Sequence, residues 1–261
     1  MTRLPIRMDN KRVLVTAGAN GIGAVIATAF AEAGAQVEVC DVDDSALRSF
    51  SEKHPHIAAT KTDVASDAAV GQLFNYFLAK HGGIDVLVNN AGIAGPTAAV
   101  EDIDPAALRD TMAIDVESMF YCSRRAVPPM KQQGYGFILN LSSIAGRLSF
   151  AMRTPYAAAK WGVIGFTKSL ALETGRFGIR VNAILPGHVN TTRFSSVVER
   201  RAKTLNISVP EMRERYLEKV ALGTTVEMAD IANMALFLSS PFGHMITGQA
   251  ISVCGGVEMM A

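Results

Sequence analysis

Short apolar runs alternate along this chain with longer segments that have the periodicity of a helix. The predicted strands are Val13–Thr16, Gln36–Cys40, Ile57–Thr60, Val86–Asn89, Phe137–Leu141, Val181–Leu185 and Ala250–Val253, of which the third is the weakest. The predicted helices lie near Ala24–Ala33, Asp67–Lys80, Pro105–Gln132, Pro155–Thr174 and Glu227–Ser239. The strands are apolar throughout, which is typical of a sheet covered on both faces. The alternation predicts an α/β fold with one doubly wound parallel sheet of about seven strands and helices on both faces.

Length and charge set the broad class of protein. The chain has 261 residues, of which 49% are hydrophobic, and this suits a single domain over 1–261 with a sizeable core. Its net charge of +1 argues against nucleic acid or a membrane as a partner. We also find no apolar run of membrane-spanning length and no signal-peptide stretch, so we expect a soluble, cytoplasmic protein. Cys40, Cys122 and Cys254 are too few and too far apart for a disulfide framework or a zinc cluster, which predicts buried free thiols.

Residues 190–222 interrupt the alternation of strands and helices, and we call them the lid segment. One helical face of this charged stretch carries Val209, Met212, Tyr216, Leu217 and Val220. A long insertion at the carboxyl edge of a parallel sheet is well placed to cover a substrate. We therefore predict a helical substrate lid.

The first strand leads into a helix through a glycine-rich turn, Thr16-Ala-Gly-Ala-Asn-Gly-Ile-Gly23. Gly21 and Gly23 have no Cβ, so the backbone can approach a pyrophosphate closely. The start of the following helix offers free N–H groups and a positive dipole end to the phosphates. A glycine-rich stretch alone is weak evidence, but its place between the first strand and an apolar helix predicts dinucleotide binding.

Asp41 ends the second predicted strand, 18 residues after Gly23. A carboxylate at this place can accept hydrogen bonds from both ribose hydroxyls of an adenosine, and it would repel a 2′-phosphate. No Arg or Lys lies in the glycine turn or directly after Asp41. The pattern therefore favours NAD over NADP as the cofactor, although Asp41 as a simple turn cap is the alternative.

Tyr156 and Lys160 lie one helical turn apart on the helix that follows the fifth predicted strand. The i, i+4 spacing puts the phenol and the ammonium on one face, and a nearby cation favours the phenolate. Such a tyrosine can give a proton to an alkoxide or take one from an alcohol. Ser143 ends the preceding strand, where its hydroxyl can bind the substrate oxygen. Each residue alone is typical of packing, a solvated face or a cap, but together with a dinucleotide turn they predict catalysis.

At this point the chain resembles the short-chain dehydrogenase/reductase family, in its single-domain Rossmann-type branch. The resemblance covers nearly the whole chain. It rests, in order, on Thr16–Gly23, Asp63-Val64, Asn89-Asn-Ala-Gly92, Ser142-Ser143, Tyr156-Ala-Ala-Ala-Lys160, Pro186-Gly187 with Thr191, and Gly248-Gln249. This resemblance implies an NAD(P)-dependent oxidoreductase that acts on CH–OH groups, and a homo-oligomer, either a dimer or a tetramer.

The resemblance also implies roles for individual residues. Ser143, Tyr156 and Lys160 would be catalytic, with Asp115 at the position of a proton-relay residue. Asp63 and Val64 would flank the adenine, and the Val189 backbone with the Thr191 hydroxyl would hold the carboxamide. The full set of predicted cofactor contacts is Gly18, Asn20, Gly21, Ile22, Gly23, Asp41, Asp63, Val64, Asn90, Ala91, Gly92, Tyr156, Lys160, Pro186, Gly187, Val189 and Thr191.

Three positions depart from the family's pattern. Ala17 stands where the first glycine of the turn is expected, with Gly18 one position later. Asp115 stands where the family usually has asparagine, and a carboxylate accepts hydrogen bonds but donates none. A water-mediated relay to Lys160 could still work or could be weakened. Cys254 replaces a frequent aspartate, for which we expect no catalytic consequence.

The leading hypothesis is an NAD-dependent enzyme that interconverts a secondary alcohol and a ketone. A catalytically weak NAD-binding sensor or scaffold is the alternative, and Asp115 is its only support. A serine hydrolase is excluded because the chain has no Gly-x-Ser-x-Gly elbow. We predict no metal site, since the five histidines lack the spacing of zinc ligands.

The predicted substrate contacts are Ser143, Arg147, Phe150, Arg153, His188 and the lid from Arg193 onward. Residues 193–219 hold seven Lys or Arg and four Glu. This excess is compatible with an anionic substrate, but a solvated lid face is the better explanation. Small polyols, sugars, hydroxy acids and cyclic alcohols all stay open as the small-molecule alcohol or carbonyl substrate.

Overall fold

A computed structural model describes residues 6–260; the side chains of Arg193, Thr204 and Met260 lie outside the description. Within these residues, the strands β1 to β7 are Arg12–Thr16, Gln36–Asp41, Ala58–Lys61, Val86–Asn89, Gly136–Leu141, Ile179–Pro186 and Ala250–Val253. The helices α1 to α9 are Gly21–Glu32, Asp44–Lys53, Asp67–His81, Pro105–Met112, Ser118–Gln133, Thr154–Thr174, Thr192–Leu205, Val209–Leu217 and Met228–Ser239.

The strands of residues 6–260 form one parallel sheet of seven strands in the order β3-β2-β1-β4-β5-β6-β7. Val13 of β1 pairs with Val37 of β2 on one side and with Val86 of β4 on the other. The chain thus adds β2 and β3 on one side of β1, and then crosses back to add β4 to β7 on the other side. In sheets of this kind, the reversal leaves a crevice beyond the carboxyl ends of the two strands concerned, here β1 and β4, and ligands bind there. The predicted doubly wound α/β fold is confirmed.

Each face of the sheet carries its own apolar core, which explains why the strands are apolar throughout. Successive side chains of a strand point to opposite faces. Val13 and Val15 of β1 therefore join a core that contains Phe30 of α1, whereas Leu14 joins one that contains Phe74 and Phe77 of α3. All these side chains are almost completely buried. The three cysteines are also buried and free.

The structure corrects three predictions of secondary structure. The helix predicted over Pro105–Gln132 is divided, because a π-helical turn over Ala113–Glu117 separates α4 from α5. Helix α2 was not predicted, since only Leu47 and Phe50 face the core in an otherwise polar stretch. The lid segment forms two helices, α7 and α8, and Val220 falls after the end of α8.

Among the helices of residues 6–260, none has both the length and the hydrophobicity required to cross a lipid bilayer.

Candidate active site

The turn between β1 and α1 has the open backbone that a bound pyrophosphate needs. Gly21 has a φ of +54°, and a Cβ there would meet no protein atom within 4 Å, so this position faces open space. A Cβ at Gly23 would lie 2.4 Å from the Ala17 oxygen, so only glycine allows the helix to pack this closely. Asn20 caps α1 by accepting a hydrogen bond from Gly21 N at 2.7 Å. The turn therefore fits a dinucleotide by shape, and the N-terminus of α1 adds its dipole.

Thr16 and Asn90 join this turn to the end of β4. Thr16 Oγ1 accepts hydrogen bonds from the backbone N–H groups of Asn90, at 3.0 Å, and Ala91, at 3.1 Å. In return, Asn90 Nδ2 donates to the carbonyl oxygens of Thr16 and Ala17, each at 3.0 Å. Ala17 has a φ of 47°, so this alanine keeps the left-handed conformation that a glycine would adopt without strain. The network holds both walls of the crevice at a fixed separation.

Asp41 lies beside the glycine turn at the carboxyl end of β2. Its carboxylate accepts hydrogen bonds from Ala19 N at 3.3 Å and from Asp43 N at 3.2 Å. Asp63 and Val64 follow β3 at the same edge; Asp63 is exposed and accepts from Ala65 N at 2.9 Å, whereas Val64 is buried. The acidic and apolar side chains predicted to contact adenosine are thus gathered at one end of the crevice.

Tyr156 and Lys160 share one face of α6. Lys160 Nζ is 5.6 Å from the centroid of the Tyr156 ring, and it donates a hydrogen bond to the Leu141 carbonyl at 3.2 Å. A Cβ on Gly92 would lie 3.1 Å from this ammonium, so Lys160 reaches the segment that follows β4. Ser143 follows β5, and its Oγ accepts a hydrogen bond from Ala145 N at 3.2 Å. The three predicted catalytic residues therefore lie around the carboxyl ends of β4 and β5.

Asp115 lies within the π-helical turn and is completely buried. One carboxylate oxygen, Oδ1, accepts a hydrogen bond from Ile93 N at 2.7 Å, and the other, Oδ2, is 3.3 Å from Lys160 Nζ. A π-turn adds one residue to a helical turn and re-aims the side chains around it, which is why such turns often mark functional sites. Asp115 therefore forms a buried ion pair with the lysine of the predicted catalytic set.

Arg153 immediately precedes α6 and covers the face of the Tyr156 ring. Its Cζ is 4.3 Å from the ring centroid, and its Nη2 donates to the Ala94 carbonyl at 2.8 Å. A guanidinium over an aromatic face makes a favourable cation–π contact. The predicted substrate residue Arg153 thus lies between the phenol and the segment that follows β4.

His188 joins the lid segment to the end of β6. Its ring stacks on Phe194 at 5.2 Å between centroids, and the edge of Tyr216 approaches both rings. Burial, and after it the positive charge of Lys219, lowers the pKa of His188 below its usual value. A neutral imidazole therefore packs in the aromatic cluster His188–Phe194–Tyr216, which connects α7 and α8 to the sheet.

The segment from Pro186 to Thr191 leads from β6 into the lid segment. Pro186 ends β6, and a Cβ on Gly187 would lie 2.7 Å from Cys254 Cα, so the chain passes closely beside β7. Val189 pairs with Val226, and the Thr191 hydroxyl accepts a hydrogen bond from Phe194 N and so caps α7.

Two of the predicted substrate residues, Arg147 and Phe150, contact other parts of the protein. Arg147 forms an ion pair with Glu258 at 3.1 Å and also donates to the Ala250 carbonyl, so its guanidinium is engaged with β7 and the C-terminal turn. Phe150 packs against an apolar cluster that contains Ile144 and Val220. We therefore leave Arg147 out of the substrate contacts proposed below.

The contacts of several groups in this site were not predicted from the sequence. These groups are the Thr16 hydroxyl, the Asn90 amide, the Ile93 N–H, the Leu141 carbonyl and the Ala94 carbonyl. Three of them are backbone groups, which no residue type reveals. Thr16 and Asn90 lie inside the quoted motifs, but their contact spans 74 residues of chain and needs the sheet order to be known.

Known proteins are similar to this chain in both sequence and fold. Residues 16–258 match the family described as enoyl-(acyl carrier protein) reductase. The D-beta-hydroxybutyrate dehydrogenase of Cupriavidus necator is 36% identical, over 95% of this chain and 98% of that protein. An actinorhodin polyketide ketoreductase variant with NADPH superimposes with a TM-score of 0.90 at 32% identity, over 95% of this chain and 97% of the other. The structure of NAD⁺-bound xylitol dehydrogenase superimposes with a TM-score of 0.89 at 27% identity, over 95% of this chain and 99% of the other.

These proteins are oxidoreductases of alcohols and ketones, and the two structures hold different nicotinamide cofactors. The match over residues 16–258 agrees with the glycine turn, the sheet order and the Tyr156–Lys160 pair, and together they identify the family. The chain belongs to the short-chain dehydrogenase/reductase family and is a nicotinamide-dependent oxidoreductase of the alcohol–carbonyl type.

Proposed function

We propose that the protein interconverts a secondary alcohol and a ketone, with NAD as cofactor and Tyr156 as the acid/base. The observation that carries this proposal is the position of Lys160. Its ammonium is buried, lies on the same helical face as the phenol and reaches Gly92 at the crevice. A cation held in this way favours the phenolate and serves both the proton transfer and the binding of a cofactor ribose.

The crevice residues supply the cofactor's binding site in this proposal. Gly18, Gly21 and Gly23 with the α1 N-terminus would hold the pyrophosphate, and Asn90 to Gly92 would line the crevice. Pro186, Gly187, Val189 and Thr191 would hold the nicotinamide end. When bound, the nicotinamide supplies or accepts the hydride.

Tyr156 performs the proton transfer, and Ser143 orients the substrate oxygen. In alcohol oxidation, the substrate hydroxyl is oriented by the Ser143 hydroxyl and gives its proton to the Tyr156 phenolate as the carbinol carbon loses its hydride. In ketone reduction, the Tyr156 phenol returns that proton to the substrate oxygen. Lys160, fixed by the Leu141 carbonyl and Asp115, stabilises the phenolate in both directions.

The proposed preference for NAD rests on Asp41. Its carboxylate is held by two backbone N–H groups beside the turn, where it can accept hydrogen bonds from ribose hydroxyls. Lys61, at the end of β3, forms its own ion pair with Asp44. The negative charge of Asp41 would repel the 2′-phosphate of NADP at this position.

Phe150 and His188 are the remaining proposed substrate contacts, next to the lid segment. The relative from Cupriavidus necator is named for a small hydroxy acid. Hydroxy acids are therefore the first substrate class to assay, followed by polyols, sugars and cyclic alcohols.

Formation of NADH across a panel of secondary alcohols tests the proposal. We expect turnover by the wild type, and a loss of about 10²- to 10⁴-fold in Tyr156→Phe, the usual contribution of acid–base catalysis. Cofactor affinity, measured by quenching of protein fluorescence, should change little because Tyr156→Phe keeps the ring and leaves the other proposed cofactor contacts in place. A Tyr156→Phe enzyme with wild-type turnover would overturn the assigned role.

A nucleotide-binding sensor with little catalysis is the second candidate. The ion pair between Asp115 and Lys160 supports it, because a carboxylate offsets the charge that favours the phenolate. The same assay decides between the two: tight binding of NAD without turnover of any alcohol or ketone favours the sensor.

We also propose that the protein is a homo-oligomer. Trp161 and Leu172 of α6 are 54% and 88% exposed, and Phe120 of α5 is 50% exposed and packs on Phe166 of α6. Large apolar side chains that share a helical surface are typical of an interface. Light scattering coupled to size-exclusion chromatography should give the mass of a dimer or a tetramer.

A further inference from the structure

The lid segment has an apolar core of its own. Its members come from α7, from α8 and from the turn between them, and they are Phe194, Val198, Ala202, Ile207, Met212 and Tyr216. This group is separate from the two cores that cover the faces of the sheet. The packing that holds α7 and α8 together is therefore distinct from the packing that holds the sheet.

The first and last residues of the lid segment are both tied to the main body by their backbones. At the start, Asn190 N donates to the Val226 carbonyl at 2.8 Å, and Val226 N donates to the His188 carbonyl at 2.9 Å. At the end, Leu222 N donates to the Gly255 carbonyl at 3.0 Å. The base of the lid is thus fixed, and the position of α7 and α8 depends on side-chain contacts above it.

His188 connects this base to the core of the lid. Its ring stacks on Phe194 of α7, with 5.2 Å between centroids and 19° between planes. It also meets Tyr216 of α8 edge to face, at 5.0 Å. Ring pairs of these kinds contribute about 0.5–1.5 kcal/mol each beyond the burial of their area. One imidazole therefore holds both lid helices against the end of β6.

The charges around the aromatic cluster His188–Phe194–Tyr216 oppose a proton on the imidazole. The charged and titratable groups described around it are the Arg213 guanidinium, 5.9 Å from the Phe194 centroid, the Tyr216 phenol and the Lys219 ammonium. Burial, and after it the charge of Lys219, lowers the pKa of His188. An imidazolium here would be partly desolvated beside other cations. The packed lid therefore favours the neutral ring.

We infer that His188 is a positioning residue, which holds the lid over the substrate only while its imidazole is neutral. Opening of the lid would expose the ring to water, where its pKa returns to the ordinary value of about 6.5. The closed lid is then favoured above this pH and loses population as the pH falls below it. The effect on substrate binding rests on the proposed function, whereas the movement of the lid does not.

Hydrogen exchange of backbone amides, measured without substrate or cofactor, tests the movement itself. Protection factors of α7 and α8, corrected for the intrinsic rate at each pH, should fall in the wild type by up to about 10-fold per pH unit below about 6.5. A His188 that only contacted the substrate would leave these values independent of pH. Amides of α1 should keep their protection and serve as the internal reference.

Two variants give the comparison. His188→Phe keeps an aromatic ring for stacking but has no group to protonate, so its lid should stay protected in acid. His56→Gln, at an exposed histidine, is the matched control and should lose lid protection as the wild type does.

Reduction of a neutral ketone with NADH measures the consequence for the substrate. Tyr156 reacts as the protonated phenol in this direction, so acid does not remove the active form. The KM of the wild type should rise as the pH falls below about 6.5, with kcat less affected, because only the closed fraction binds the ketone productively. In His188→Phe the KM should stay nearly constant over the same range.

Lid protection that is independent of pH in the wild type overturns the inference, and so does an equal loss of protection in His188→Phe. Should His188→Phe fail to fold, NMR of the wild type decides. Titration of the His188 ring over the pH range in which lid protection is lost supports the role, and titration in a separate range contradicts it. The proposed function fails by a different observation, the absence of turnover with every alcohol and ketone, which leaves the exchange result unchanged.

Discussion

Lys160 Nζ lies 3.3 Å from Asp115 Oδ2, in a part of the site where the two side chains are 5% and 0% exposed. Asp115 also accepts a hydrogen bond from Ile93 N, and Lys160 donates to the Leu141 carbonyl. The pair therefore joins the π-helical turn, α6 and the segments that follow β4 and β5. Its charge balance affects the phenol of Tyr156, and its removal affects the stability of the whole site.

Replacing Asp115 should show how much this pair stabilises the site. Asp115→Ala leaves a buried ammonium without its carboxylate and should lower the free energy of unfolding by about 3–5 kcal/mol, measured by urea denaturation. Asp115→Asn keeps an oxygen for Ile93 N and should be less destabilising. Asp110→Asn, at an exposed residue of α4, is the control and should be as stable as the wild type. An Asp115→Ala protein of wild-type stability would contradict the prediction.

Ala17 has a left-handed backbone conformation, which costs an L-residue about 1–2 kcal/mol. Ala17→Gly removes this strain but adds conformational entropy to the unfolded chain. We expect a net stabilisation of about 0.5–1 kcal/mol, measured by urea denaturation. Ala29→Gly, in the interior of α1, should instead destabilise by about 1 kcal/mol. A less stable Ala17→Gly would mean that the turn is not strained.

Asp41 should determine which nicotinamide cofactor the enzyme prefers. Asp41→Ala removes the proposed acceptor for the ribose hydroxyls and the repulsion of a 2′-phosphate. The ratio of kcat/KM values for NAD over NADP should fall by at least about 10-fold, the effect of losing one hydrogen bond to a charged group. Glu52→Gln, at the far end of α2, should leave the ratio unchanged. If Asp41→Ala also leaves this ratio unchanged, the carboxylate of Asp41 only caps its turn.

His188 should make the stability of the protein sensitive to acid. Its pKa is lowered in the folded protein by burial and by Lys219, so the unfolded chain binds this proton more tightly. Stability is therefore fully present above the ordinary histidine pKa of about 6.5 and is lost as the pH falls below it.

Melting temperatures measured from neutral to acidic pH test whether stability is lost in this direction. His188→Gln should show a weaker dependence than the wild type below about pH 6.5. His56→Gln removes an exposed histidine and should follow the wild type. Parallel curves for wild type and His188→Gln would show that the imidazole is not held neutral by the aromatic cluster.

Residue periodicity and spacing were sufficient for much of this protein. Continuous apolar strands require a sheet buried on both faces, and helices between them require parallel pairing. The glycine turn and the Tyr156–Lys160 spacing are local, because residues up to one helical turn apart have their relative positions fixed by backbone geometry. The predicted fold and family were confirmed on this basis, whereas the individual roles of the site residues are still predictions.

The contacts across the sheet needed the tertiary structure. The π-helical turn brings Asp115 to Lys160, the fold of the segment after β5 turns Arg147 toward Glu258, and Arg153 covers Tyr156. These contacts depend on where side chains from distant parts of the chain meet, and the free energies that select them are small differences between packing, burial and charge. The sequence by itself thus determined the order of strands and helices and the local motifs, and only the tertiary structure decided which charged side chains from distant parts of the chain are paired within the protein.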